Sequence, residues 1–169
     1  DTLSRIGADM VSAPIGWEEA HVKAAEFHAS RREFKKALGE YRAILSQFPL
    51  SVSAHLRSAQ LLLMQKNIAH AQRHLLESVK VEKTYYAYKQ LGAIAVEQGN
   101  PQQAVPYFEE AASLGENLQQ RSEAGYLLAF SHLRMGHTQQ ASQVLERVLA
   151  ADPGYSPARD LLARVKSTR

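Results

Sequence analysis

A small residue returns along the chain at Ala25, Ala59, Gly92, Ala129 and Ala163, and subtracting these numbers gives steps of 34, 33, 37 and 34. A second small column runs beside it through Ala37, Ala71, Ala104 and Ala141. Each member of that second column is followed four residues on by a large side chain (Tyr41, Leu75, Phe108, Leu145) and three further on by Ile44, Ser78, Ala111 and Val148. Steps of four and three keep these residues on one side of a helix. Small side chains let two antiparallel helices approach closely, and the larger ones fill the space between layers. A fixed period in the thirties means that each helical hairpin has an apolar face it buries only on its neighbours, which is a solenoid.

Composition agrees with that reading. Of 169 residues 45% are hydrophobic and 22% charged, within the globular range, and the six prolines and nine glycines fall mostly at joints between periodic segments. Ala, Leu, Gln and Glu outnumber Val and Ile, so propensity favours helix throughout. The predicted fold class is all-α. Residues 18–155 divide into four hairpins, at about 18–51, 52–84, 85–121 and 122–155, each with a helix A and a helix B. A last helix over 156–169 caps the stack, with Ser156 as N-cap and Pro157 in its first position. In residues 1–17, Leu3, Ile6, Gly7, Met10 and Val11 share one helical face and Pro14 and Gly16 end it. That segment reads as a cap, a half-repeat or the end of an upstream domain. Asp1 in place of an initiator Met suggests a piece of a longer protein.

Two local departures stand out. The 37-residue step adds three residues around 115–121, and Asn117 with Gln120 three later starts the fourth helix A about one turn early. Pro106 lies inside helix B of the third hairpin, where it removes an N–H, so it is expected to face outward at a kink.

Chemistry-bearing patterns are sparse. No cysteine is present, which removes disulfides, thiolate metal sites and a Cys nucleophile. The serines sit in helices or at their ends with no GxSxG elbow, and no GxGxxG, Walker or EF-hand loop occurs. Glu18/Glu19 and Glu109/Glu110 are adjacent in helices, so their side chains diverge by about 100° and do not converge on one substrate. No apolar run nears the roughly 20 residues that span a bilayer. The net charge of +3, from 20 Lys and Arg against 17 Asp and Glu, is too small for a nucleic-acid surface. The densest basic cluster, Arg31, Arg32, Lys35, Lys36 and Arg42, reads as a solvated turn and outer helix face. His70 and His74 stand four apart, a spacing that can bind metal, but no acidic partner flanks them and they too read as a solvated face. No enzyme activity, cofactor or metal is expected.

The sequence Tyr88-Lys89-Gln90-Leu91-Gly92 followed by Ala95, Gly99, Ala104, Phe108 and Ala111, with closing prolines at Pro49 and Pro153, resembles the tetratricopeptide repeat (TPR). The resemblance covers about 18–169, as four repeats and a capping helix. It implies a right-handed superhelix whose helices A line a concave face. His21 and His55 stand where the family has Trp or another large residue, and His28 and His132 where it has Tyr, which makes these four imidazoles packing groups. The resemblance fixes the fold far better than the function.

The family's concave columns fall on Glu19, Val22, Glu26 and Ala29 in the first repeat and on Ser53, Leu56, Gln60, Leu63 and Met64 in the second. In the third they fall on Tyr86, Lys89, Ala93, Val96 and Glu97, and in the fourth on Glu123, Tyr126, Phe130, Leu133 and Arg134. From the second repeat onward this face is rich in apolar and aromatic groups. Either it binds a partner, or superhelical curvature or another segment covers it. The expected function is a protein–protein interaction module taking a peptide or partner helix in this groove, with Glu26, Gln60, Lys89 and Arg134 supplying specificity. Two alternatives are an accessory domain of a larger, enzymatic bacterial protein and a homo-oligomerisation scaffold. Chaperone-tail binding through the family's carboxylate clamp is disfavoured, because the clamp positions hold Val22, Glu26, Arg57, Tyr86 and Gln90. The compartment is open between cytoplasm, taken by default, and periplasm.

Overall fold

The steps of the small columns place two helices in every period, and that is the arrangement observed. A computed structural model describes residues 14–167; the helix expected over 3–11 lies outside them. The helices are α1 (Trp17–Ser30), α2 (Phe34–Gln47), α3 (Val52–Met64), α4 (Ile68–Val81), α5 (Tyr85–Glu97), α6 (Pro101–Leu114), α7 (Leu118–Arg134), α8 (Thr138–Ala151) and α9 (Ser156–Ser167), with no strand among the described residues. They form an all-α solenoid of antiparallel hairpins that falls into two compact units, one ending at Val81 and the other beginning at Glu82.

Each helix A ends the same way, seven residues after its small column residue. Arg32, Lys66, Gly99 and Gly136 all adopt positive φ, at 60°, 58°, 75° and 76°. The next residue then donates its N–H back into the last turn, from Glu33 to the His28 carbonyl, Asn67 to Leu62, Asn100 to Ala95 and His137 to His132. These bonds satisfy carbonyls that a helix end would leave bare and turn the chain into helix B. Helix starts are capped by side chains at Ser51, Thr84 and Asn117. At α7 the Asn117 side chain accepts from the Gln120 N–H at 2.9 Å, and the Gln120 side chain accepts from the Glu116 N–H at 2.8 Å. This reciprocal pair fixes the early start of the fourth helix A.

The columns form the core. Ala25, Ala37, Tyr41 and Ile44 are buried in the first hairpin, and Ala59, Ala71, Leu75 and Ser78 in the second. Ala104, Phe108 and Ala111 are buried in the third, and Ala129, Ala141, Leu145 and Val148 in the fourth. Gly92 is small for a physical reason: a Cβ there would meet the Phe108 ring at 2.5 Å. Pro106 is exposed within α6, and so is Gln102, whose carbonyl it leaves without an intrahelical partner.

Two expectations are corrected. Ala163 holds the register of the small column but is exposed, because among the described residues no helix B lies over α9. That helix buries Ala158, Leu161, Leu162 and Val165 instead. It also begins at Ser156, so Pro157 is its second residue rather than its first.

Candidate functional site

In the C-terminal unit the expected groove residues occupy one stripe on each of two helices. Tyr86, Lys89 and Val96 lie on α5, and Tyr126, Phe130, Leu133 and Arg134 on α7. Residues three, seven and ten apart stack along one side of a helix. All are half-buried except the exposed Arg134. Val96, Tyr126 and Leu133 rest one flank on the core built from Ala95, Phe108, Leu128 and Leu145. Tyr126 also meets Tyr155 edge-on, with ring centroids 6.4 Å apart. Phe130 lies between Tyr126 and Leu133 in the stripe and remains half-buried.

Lys89 is not a loose cation at the margin. Its Nζ lies 3.2 Å from both carboxylate oxygens of Glu123 and 5.2 Å from the centre of the Tyr85 ring. The Tyr85 hydroxyl donates to Glu123 Oε2 at 2.6 Å. Burial, reinforced by that carboxylate, pushes the Tyr85 phenol well above its usual range, and burial followed by Glu123 raises Tyr155. Glu123 is therefore a fixed anchor between α5 and α7. Sequence reasoning placed Glu123 in the concave column but missed Tyr85 and Tyr155, which sit outside the family's concave positions.

In the N-terminal unit Leu56 and Leu63 are half-buried on α3, Gln60 is exposed, and Met64 is 62% exposed. On α1, Glu26 is exposed and Phe27 stands out from the surface with the Arg31 guanidinium 5.5 Å from its ring centre.

The histidines follow a rule that the helix A pattern alone does not reveal. The residue four before the small column of helix A meets the residue three after the small column of helix B, 19 positions later. His21 donates from Nδ1 to Glu40, His55 meets His74 with Nδ1 atoms 3.0 Å apart, and Tyr88 lies on Tyr107 with centroids 6.2 Å apart. In the fourth repeat the same two positions hold Gly125 and Val144, and a Cβ on Gly125 would meet Val148 at 2.5 Å. His74 is thus no solvated group. It is half-buried against His55 because its helix turns that face inward. His70 is exposed and donates from Nδ1 to the Asn67 side chain at 2.8 Å. Among the described residues no three His, Cys, Asp or Glu converge on a metal position. His28 is held by Glu33 at 2.7 Å, while His132 keeps a buried Nδ1 without a partner among the described residues.

Two clefts lie among corresponding helices, each between helix B of one repeat and both helices of the next, and share three repeat positions in their walls. One of about 130 Å³ lies among α2, α3 and α4, lined by Leu38, Arg42, Leu45, Ser58, Leu62, His70 and His74. The other, of about 260 Å³, lies among α6, α7 and α8, with Leu118, Gly125, Leu128, Val144 and Val148 in its walls and Arg121 and Arg147 beside them. No helix among the described residues is long and apolar enough to cross a membrane.

Two family models, both described as tetratricopeptide repeat, match residues 19–77 and 95–165. No curated protein matches by sequence. Among solved structures, the MamA protein is 18% identical with a TM-score of 0.78, over 90% of this chain and 82% of its own. YrrB, described as a TPR protein with an unusual peptide-binding site, is 18% identical with a TM-score of 0.74, over 99% of this chain and 82% of its own. PilW, described as a widely conserved type IV pilus biogenesis factor, is 20% identical with a TM-score of 0.69, over 89% of this chain and 69% of its own.

Proposed function

Because the chain belongs to the tetratricopeptide-repeat family, we propose that it is a non-enzymatic protein-interaction module that takes an extended peptide or a partner helix on the helix A face of its C-terminal unit. The observation that carries this reading is the repeated stripe on α5 and α7. Val96, Tyr126 and Leu133 keep one flank on the core, and these three with Tyr86 and Phe130 stay half-buried, leaving part of each side chain uncovered. Such half-buried rings are already ordered, so a partner that covers them gains apolar burial at about 25 cal/mol per Å² with little side-chain entropy lost. Tyr126 and Phe130 are the expected anchors, since aromatic groups dominate interface energetics. The Lys89–Glu123 pair holds its ammonium in one place beside the stripe, and Arg134 adds an exposed cation at its end. Both can meet carbonyls or carboxylates of the bound segment. Leu56, Gln60, Leu63 and Met64 offer a smaller patch of the same kind in the N-terminal unit. The peptide-binding site described for YrrB supports the class of ligand.

The test begins with peptides selected from a random display library on the immobilised chain. Their affinity is then measured for Phe130→Ala and for Tyr126→Ala with Phe130→Ala. The expected result is at least a tenfold loss for the double variant with its helical circular dichroism intact. Equal affinity for wild type and double variant would overturn the proposal.

A further inference from the structure

The cleft of the N-terminal unit collects hydrogen-bond donors from three helices. Arg42 comes from α2, Ser58 from α3, and His70 and His74 from α4. Arg42 is exposed and has no ion pair or hydrogen bond among the described residues. Ser58 differs from the other buried serines. Ser78, Ser131 and Ser142 return their hydroxyls to carbonyls of their own helices, and Ser122 donates to Asp152. Ser58 is 2% exposed, lines the cleft, and has no hydrogen-bond partner among the described residues. Its hydroxyl is therefore free to donate to a ligand seated in the cleft.

The hydrogen bonds settle which imidazole nitrogens remain. His55 Nε2 lies 3.0 Å from the Pro49 carbonyl and must donate to it, so the neutral ring accepts at Nδ1. His74 must then donate from Nδ1 to His55, and its Nε2 is left over. His70 donates from Nδ1 to Asn67, and its Nε2 is left over as well. The remaining nitrogen of His74 becomes an N–H donor on protonation without breaking its bond to His55.

We propose that this cleft is a proton-linked site for a compact, doubly charged oxyanion of the phosphoryl type, bound by Arg42, Ser58 and the protonated Nε2 of His74, with His70 lining the cleft beside them. The cleft, of about 130 Å³, has room for a small group of this kind rather than for a peptide segment. A tetrahedral oxyanion accepts from directions spread in three dimensions, as donors from three helices require, whereas the acceptor sites of a carboxylate lie in one plane. The charges around His74 are His55 on α3, and Arg73, His70 and Glu77 on its own helix, with Arg42 lining the cleft from α2. Glu77 is the one anion of that set, and Lys80 holds it at 2.8 Å. Burial first, and then His55, Arg73 and His70, keep the His74 pKa below its usual value. A bound dianion opposes each of these charge effects, so binding strengthens as pH falls.

Titration calorimetry of the full chain with inorganic sulfate, which stays doubly charged from pH 8 to 5.5, reads the linkage without a titrating ligand. Affinity is expected to rise toward about tenfold per pH unit for one linked proton as His74 becomes protonated, and the His74 ring resonance to titrate at higher pH with sulfate present. Arg42→Gln, an exposed substitution that leaves the core alone, is expected to lose at least tenfold, and Ser58→Ala to lose less. Inorganic phosphate and O-phosphoserine, compared at pH 6, separate a free ion from a phosphorylated side chain as the source. Absence of sulfate binding at pH 6, binding independent of pH, or wild-type affinity in Arg42→Gln would each overturn the proposal.

Discussion

The two clefts lie among the same three helices of the repeat, and two of the positions they share differ in chemistry. One position before the helix A small column stands Ser58 in the N-terminal unit and Leu128 in the C-terminal unit. Three after the helix B small column stand His74 and Val144. The first pair gives a small cleft with a hydroxyl and an imidazole in its wall; the second gives an apolar cleft of twice the volume. The turns differ in parallel: Arg32 and Lys66 take the left-handed conformation in one unit, and Gly99 and Gly136 in the other. A repeat thus fixes where helices run while leaving single positions free to carry polar chemistry or strain. The C-terminal unit fills those positions with the packed side chains of Leu128 and Val144, whereas in the N-terminal unit His74 is hydrogen-bonded to His55 and Ser58 keeps its hydroxyl on the cleft wall.

That contrast can be broken by experiment, and the largest effect is expected in the core. Phe108→Ala removes a fully buried ring seated on Gly92 and is expected to cost about 3–5 kcal/mol by denaturant unfolding. Leu75→Ala, at the equivalent position, removes less apolar surface and is expected to cost less. A greater loss at Leu75 would reverse the ranking of the two units.

The turns come next. Lys66 holds φ of 58°, a conformation that is unfavourable for a side chain bearing a Cβ and free of that penalty for glycine. Lys66→Gly is expected to raise stability by about 1 kcal/mol, and Gly99→Ala to lower it by a similar amount. Both changes are read from the midpoint of thermal unfolding, and no gain in Lys66→Gly would remove strain from the account of the N-terminal unit.

The smallest effect is the pH dependence, to which each unit contributes one histidine. Burial, followed by His55, lowers the His74 pKa, and burial, followed by His137, lowers that of His132. For a depressed histidine the unfolded chain takes up its proton first as pH falls. Stability from these two groups is therefore complete above the ordinary value of 6.5 and is lost as pH falls from there toward their folded values. His74→Val, the residue that the C-terminal unit uses at that place, is expected to flatten part of that slope in denaturant titrations between pH 7 and 5. An unchanged slope would show that His74 is not buried neutral.

Much of the fold was legible in the sequence because packing repeats. Ala37, Ala71, Ala104 and Ala141 are all buried, and the turns fall at Lys66-Asn67 and Gly136-His137 as the register requires. The site was less legible. Tyr126, Phe130 and Leu133 could be placed on a face by spacing, but spacing does not say that Lys89 is bound by Glu123 or that Tyr85 completes that contact. The 19-residue pairing of His55 with His74 was present in the sequence as a pattern. It has meaning only once antiparallel helices set which residue of B lies across from which residue of A. Ala163 shows the reverse case, where register holds and burial does not follow.

The sequence by itself determined the all-α class, the hairpin period and the columns that become the core, because burying an apolar stripe at helical spacing admits few solutions. Tertiary structure alone decided which polar groups are satisfied within the protein and which face a cleft. That decision rests on distances of about 3 Å between side chains from different helices, as at His55 and His74, and hydrogen-bond geometry at that scale is set by packing rather than by residue type.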